Sequence, residues 1–219
     1  MAIDYTALLE ALPRCPEVIG RDETRRSVVL APFMEIGGEL HLLFEKRAPE
    51  IRQGDEICFP GGGTEERDRG DLALTALRET EEELGIPRAM IHVDGRAGSH
   101  YSALGQVVDL FVGRIDARGL QDFNPNPKEV SRLLLVPFQW FIDTPPERYE
   151  LEVQFHPYIV EDPGGRTDLL PARELGLPER YWERWQTRRN PVFVYTVEGE
   201  VIWGLTALMV RHLVGLLGR

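Results

Sequence analysis

Cysteine is scarce in this chain. Two of its 219 residues, Cys15 and Cys58, are cysteines, and they form neither a CxxC pair nor any metal-ligand spacing. That excludes a disulfide-stapled scaffold or a cysteine-ligated zinc centre and leaves buried free thiols in a reducing compartment as the expectation. Positive charge is short as well: 25 Lys and Arg stand against 36 Asp and Glu, for a net charge of −11. A broad basic face that grips nucleic acid or an acidic membrane is therefore not expected, although a small anion needs only a few well-placed arginines. No window holds the roughly eighteen uninterrupted apolar residues of a membrane span. The N-terminal MAIDYTALLEALPR lacks the basic start and apolar run of a secretory signal, so the expected location is cytoplasmic, with no membrane partner.

What is present suffices for one substantial core, since 42% of residues are hydrophobic. DYTALLEAL (4–12) reads as a short amphipathic helix ended by Pro13 and Pro16. RRSVVLAPFMEI and ELHLLFEKR, split by Gly37-Gly38, predict a β-hairpin. EICF is a short strand before Pro60 and three glycines. Asp71 to Leu84 has a helix-start residue at one end, with Gly85 and Pro87 just past the other. Strand-like runs follow at IHVDG, QVVDLFVGRI and EVSRLLLVPF, then a short helix at PFQWFI and strands at RYELEVQF and NPVFVYTV. An insertion (162–185), Pro/Gly-rich over 162–178 and then the aromatic YWERW, lies between the last two, and a helix from about Trp203 to Leu217 closes the chain. The irregular mixture predicts an α/β fold with a mixed β-sheet: one domain over 1–219, core about 25–145, extension about 146–219.

The helix 71–84 carries Glu79, Glu81, Glu82 and Glu83 in its last turn. Like charges at this spacing repel by about 0.2–0.5 kcal/mol per pair, and the dipole is unfavourable there too. Winding at about 100° per residue puts Ala73, Leu77, Thr80 and Leu84 on one stripe and Glu79, Glu82 and Glu83 together on another face, with Glu81 apart. Arg78, four residues before Glu82, is placed to hold that carboxylate. An ordinary solvated helix end would carry lysine or arginine here. Three clustered oxygens suit a hard divalent cation, Mg²⁺ or Mn²⁺, which turns the repulsion into binding. FPGGG ahead of the helix permits close backbone approach to a phosphate.

GGGTEERDRGDLALTALRETEEELGI resembles the Nudix box. Its second half is matched by Arg78, Glu79, Glu82, Glu83, Gly85 and Ile86, with Thr80 where an aliphatic is usual. The first half departs: the expected Gly falls on Thr64 and the expected Glu on Gly70. Gly63 fits if the loop is one residue longer, and Glu65, Glu66 or Asp68 then supplies any acid from that region. LLFEKRAPEIRQGDEICFPGG, NPKEVSRLLLVPF and VIWGLTALMVRHL resemble the coenzyme A pyrophosphatase branch, although Arg52-Gln53-Gly54 replaces a histidine-containing form.

The resemblance implies a Nudix-type α/β/α sandwich with a C-terminal helix. It implies metal-dependent hydrolysis of a nucleoside diphosphate derivative, with coenzyme A giving 4′-phosphopantetheine and adenosine 3′,5′-bisphosphate. ADP-ribose or a dinucleoside polyphosphate is an alternative substrate, and a non-catalytic nucleotide sensor an alternative class. In this reading Glu79 and Glu83 hold the metal, with Glu82 completing the site or serving as base. Arg78 orients a carboxylate, and Glu129 is the candidate base outside the box. Gly61, Gly62 and Gly63 shape the loop, and Arg47 and Arg52 grip phosphate, a task suited to the guanidinium fork. The fold also admits a homodimer.

Overall fold

The computed structural model describes residues 25–102 and 105–218; the helix expected at 4–12 and Cys15 lie outside them. In chain order the elements are β1 (Arg25–Ile36), β2 (Glu39–Arg47), β3 (Ile57–Cys58), β4 (Gly61–Gly63), α1 (Leu72–Leu84), β5 (Ile91–Tyr101) and β6 (Gln106–Ile115). They continue with β7 (Val130–Pro137), α2 (Phe138–Asp143), β8 (Glu147–Phe155), β9 (Tyr158–Glu161), β10 (Gly165–Asp168), β11 (Trp185–Val197), β12 (Glu200–Trp203) and α3 (Gly204–Leu216). This is an α/β fold with a mixed sheet and a C-terminal helix, as the sequence predicts. Two compact units divide it: one takes the chain up to Gly54 and Phe59–Leu135, the other Asp55–Cys58 and Val136 onward.

In the first unit, β1 and β2 form the expected hairpin, with Ile36 opposite Glu39. Both turn glycines have positive φ, 62° at Gly37 and 83° at Gly38, the pair of values a two-residue turn needs to match strand twist. β6 runs parallel to β1, and β5 pairs antiparallel with β6. The same edge of β1 that meets β2 near Phe33 meets β4 near Val28. α1 packs on this sheet through a core that includes Val28, Leu30, Leu43, Ala76, Leu84 and Phe111.

One departure concerns the glycines. Gly61–Gly63 is a strand in register with β1, Val29 opposite Gly61 and Ser27 opposite Gly63, and not a free loop. A run without side chains carries no alternation, so its pairing cannot be read from pattern.

The second unit is built on a three-stranded antiparallel sheet ordered β12–β11–β8. Phe193, Tyr195, Val197 and Ile202 are buried there, as are Ala207, Val210 and Leu213 of α3. Phe141 of α2 meets Tyr195 edge-on with ring centroids 5.1 Å apart. The 162–185 insertion contributes β10, which pairs with β9. Cys58, in β3, is half-buried.

Candidate metal and phosphate site

α1 starts and stops where its sequence dictates. The Asp71 carboxylate accepts the Ala73 amide at 2.9 Å, capping the first turn, and Gly85 ends the helix in the left-handed region at φ 62°. Gly85 is also required by space: a Cβ there would lie 1.7 Å from the Asn124 carbonyl oxygen. The predicted stripe faces the core. Thr80 and Leu84 are buried, and Ala73 and Leu77 pack partly buried against it. Thr80 replaces an aliphatic residue without an orphaned hydroxyl, because its Oγ1 donates to the Ala76 carbonyl at 2.7 Å.

Arg78 is not a surface ion pair. Its side chain is buried and its guanidinium joins three segments. Nε donates to Asp68 Oδ1 at 3.0 Å and Nη2 to Asp68 Oδ2 at 3.0 Å, a bidentate fork. Nη2 also donates to the Gly63 carbonyl at 2.9 Å, and Nη1 reaches Glu79 at 2.8 Å and Glu82 at 3.3 Å. Of the three acids available before the helix, Asp68 is therefore the buried one. Its Oδ2 also accepts from the Glu65 amide and the Thr75 hydroxyl, each at 2.9 Å. The Arg78 hydrogen bonds hold the Asp68 carboxyl well below the usual carboxylate range despite burial. The same contacts keep Arg78 charged.

The three predicted carboxylates lie on the face beside β4. Glu82 is exposed and also receives a hydrogen bond from Arg67 at 3.0 Å. Glu79 is largely covered, and burial raises its pKa even with Arg78 adjacent. Glu83 is buried; its Oε2 accepts the Gly61 amide at 2.7 Å. Burial and then the charge of Glu45 push Glu83 up to about 9, against the Gly61 hydrogen bond. Glu81 is half-buried and accepts the Arg88 amide at 3.3 Å.

Glu45 is a residue that sequence reasoning missed. It sits in β2, only 1% exposed, and its charge acts on Glu83. The available signal was a charged residue inside the run LLFEKR, between Phe44 and the end of a strand.

Among the described residues no three His, Cys, Asp or Glu side chains are already gathered around one point. The hydrogen bonds account for this: Arg78 draws Glu79 and Glu82, and the Gly61 amide draws Glu83. The donor set nonetheless fits a hard divalent cation, since it offers oxygens only and its negative charge is crowded by burial. The glycines provide the room. A Cβ on Gly62 would lie 2.4 Å from a Glu79 carboxylate oxygen, and one on Gly61 2.2 Å from the Val28 carbonyl oxygen, whereas Gly63 faces open space.

Arg47 is half-buried at the end of β2, and its charge lowers the pKa of Glu83, so it lies on this side of the unit. Its Nε donates to the Arg52 carbonyl at 3.2 Å, while the Arg52 side chain is exposed. Glu129 is exposed on a turn tied down at both ends: the Asn126 amide donates to the Glu83 carbonyl at 3.1 Å, and the Glu129 carbonyl accepts from Ala48 at 2.8 Å. The α1 N-terminus is capped by the Asp71 carboxylate.

A family model described as the NUDIX domain matches residues 24–157. An uncharacterized Nudix hydrolase NudL from Yersinia pestis (strain Pestoides F) is 31% identical over 190 residues, 86% of this chain and 78% of that protein. The homologous NudL of Yersinia pseudotuberculosis serotype O:1b (strain IP 31758) gives the same figures. Among solved structures, the Nudix hydrolase RenU from M. smegmatis is similar with a TM-score of 0.45 and 20% identity, covering 54% of this chain and 74% of that one.

Proposed function

The chain belongs to the Nudix hydrolase family, and from that premise we propose that it cleaves the pyrophosphate bond of coenzyme A or a derivative of it. Nudix hydrolases act on small nucleotide substrates and generally use divalent metal ions. The products in this reading are 4′-phosphopantetheine and adenosine 3′,5′-bisphosphate. What supports this substrate is the resemblance of LLFEKRAPEIRQGDEICFPGG and VIWGLTALMVRHL to the coenzyme A branch.

The observation that carries the catalytic reading is the buried Glu83, held by the Gly61 amide at 2.7 Å and raised in pKa by burial and Glu45. In this proposal Glu79 and Glu83 are the principal ligands of Mg²⁺ or Mn²⁺, Glu82 completes the site, and Glu45 adds negative charge from β2. Bound there, the ion neutralises phosphate charge and eases deprotonation of water. The rest falls to the chain. Arg78, locked by Asp68, sets the positions of Glu79 and Glu82. Arg47 and Arg52 bind substrate phosphate, and the glycine strand lets it approach closely. Glu82 or Glu129 takes the proton from the attacking water. Positioning and charge neutralisation dominate such chemistry. Residues 1–219 act as a single cytoplasmic hydrolase domain, with a core of about 25–145 and an extension of about 146–219. No described helix is long and apolar enough to cross a membrane.

Product analysis after incubation with coenzyme A and Mg²⁺ tests the proposal. Release of both named products, abolished by Glu83→Gln, is expected. Turnover of ADP-ribose or a dinucleoside polyphosphate with coenzyme A left intact would reverse the substrate assignment. No turnover of any of the three, together with nucleotide binding, would make the protein a sensor.

A further inference from the structure

The sheet of the second unit has two unlike faces. Along β11, Phe193, Tyr195 and Val197 are buried, and Ile202 of β12 joins them. The alternate residues point the other way and are exposed or half-buried. Register places them side by side: Val192 opposite Tyr149, Asn190 opposite Leu151, Val194 opposite Trp203 and Thr196 opposite Val201. Tyr149 is 52% exposed, Leu151 54%, Val201 48% and Trp203 43%, while Val192 and Val194 are half-buried between them. An antiparallel sheet with one face on the core normally turns polar residues outward. This one turns out a continuous apolar patch.

We propose that this face is where a second copy of the chain docks, sheet against sheet, about a two-fold axis. Three observations favour a copy over other occupants. The first is charge. The chain carries a net charge of −11, so two copies repel over most orientations. Yet the rim of this face supplies Asn190 and Thr196, which are neutral, and one acid, Glu147. The second is shape. A flat sheet face is its own complement, and two such faces pack about 10 Å apart with interleaved side chains. A two-fold lays Trp203, on β12 at one edge, over Tyr149 and Leu151, on β8 at the other. The third is size. The four exposed side chains leave on the order of 400 Å² of apolar surface per copy, about half of what a standard interface takes from each partner, and the rim and the half-buried valines add to it. An acidic chain also makes an anionic lipid surface the poorer match.

The test is the mass of the full chain in solution at micromolar concentration, by sedimentation equilibrium. Twice the 24.9 kDa of one chain is expected. Leu151→Glu and, separately, Val201→Glu should give the single-chain mass with unchanged far-ultraviolet circular dichroism. A single-chain mass for the unsubstituted protein overturns the proposal, and so does a folded Leu151→Glu chain that keeps the double mass. If the variants do not fold, hydroxyl-radical labelling of the unsubstituted protein decides. Oxidation of Tyr149, Leu151 and Trp203 should fall several-fold from dilute to concentrated solution, and labelling that does not change with concentration rejects a second copy at this face.

Discussion

Replacing Asp68 by asparagine keeps the shape of the side chain and removes its charge. In the native protein that carboxylate accepts four hydrogen bonds, two from Arg78 and one each from the Glu65 amide and the Thr75 hydroxyl. Hydrogen bonds to charged groups are worth about 1.5–3 kcal/mol each, and removing one partner of a buried ion pair costs about 3–5 kcal/mol. The lower end applies, because the Gly63 carbonyl, Glu79 and Glu82 still hold the guanidinium. A loss of about 3 kcal/mol, at about 2–4 °C per kcal/mol for a chain of this size, lowers Tm by roughly 6–12 °C. The pH dependence has a definite sign. The folded pKa of Asp68 is depressed, so its contribution is complete above the roughly 3.9 of an unfolded aspartate and fades only as pH falls toward the folded value. Thermal and urea unfolding of Asp68→Asn at pH 7 measures the cost. A change under about 1 kcal/mol would refute the role of Arg78 and Asp68 as the joint between β4 and α1.

Further outcomes follow from the same geometry. Glu83, pushed up to about 9, keeps a proton that an unfolded glutamate releases near 4.3, so metal-free stability falls as pH rises between those values, by at most about 1.4 kcal/mol per unit. Urea denaturation in EDTA should show that decline in the unsubstituted protein and a flatter profile for Glu83→Gln; equal slopes contradict it. Gly62→Ala puts a Cβ 2.4 Å from the end of the Glu79 side chain, which can move away. It should change stability by less than about 1 kcal/mol yet weaken Mn²⁺ binding, read by calorimetry or by the spin resonance of free Mn²⁺. Gly85→Ala meets the Asn124 backbone and a positive φ together, so it should cost about 3 kcal/mol or more; a loss near 1 kcal/mol would mean that the 124–129 turn yields easily.

α1 was legible because both of its signals are local: Asp71 bonds two residues ahead, and Gly85 adopts a backbone conformation that other residues resist. The β1–β2 hairpin was legible for the same reason, through Gly37 and Gly38. The grouping of Glu79, Glu82 and Glu83 needed only helical geometry. Asp68 was one of three candidates, and the choice among them depends on a single 3₁₀ turn at 66–68 that turns it toward Arg78 while leaving Glu65 and Glu66 exposed. Glu45 was not legible, since its meaning comes from Glu83, 38 positions later and on another element. The apolar face of β8, β11 and β12 depends on the β8–β11 register, which sets Leu151 beside Asn190, 39 positions on, and Tyr149 beside Val192, 43 positions on, and periodicity within one strand cannot supply it.

The glycine strand has a consequence for how the candidate site can diversify. A side chain at Gly61 would run into the main chain of β1, whereas one at Gly62 meets only the movable end of Glu79, so Gly61 is the point held to bare main chain, its outline set by pairing with β1. At Gly61 selection cannot exchange one side chain for another. Under the proposed function, drift in which molecule is accepted is written on the surrounding segments, such as the arginines at and just after the end of β2 and the turn before β7, while this point stays a fixed template.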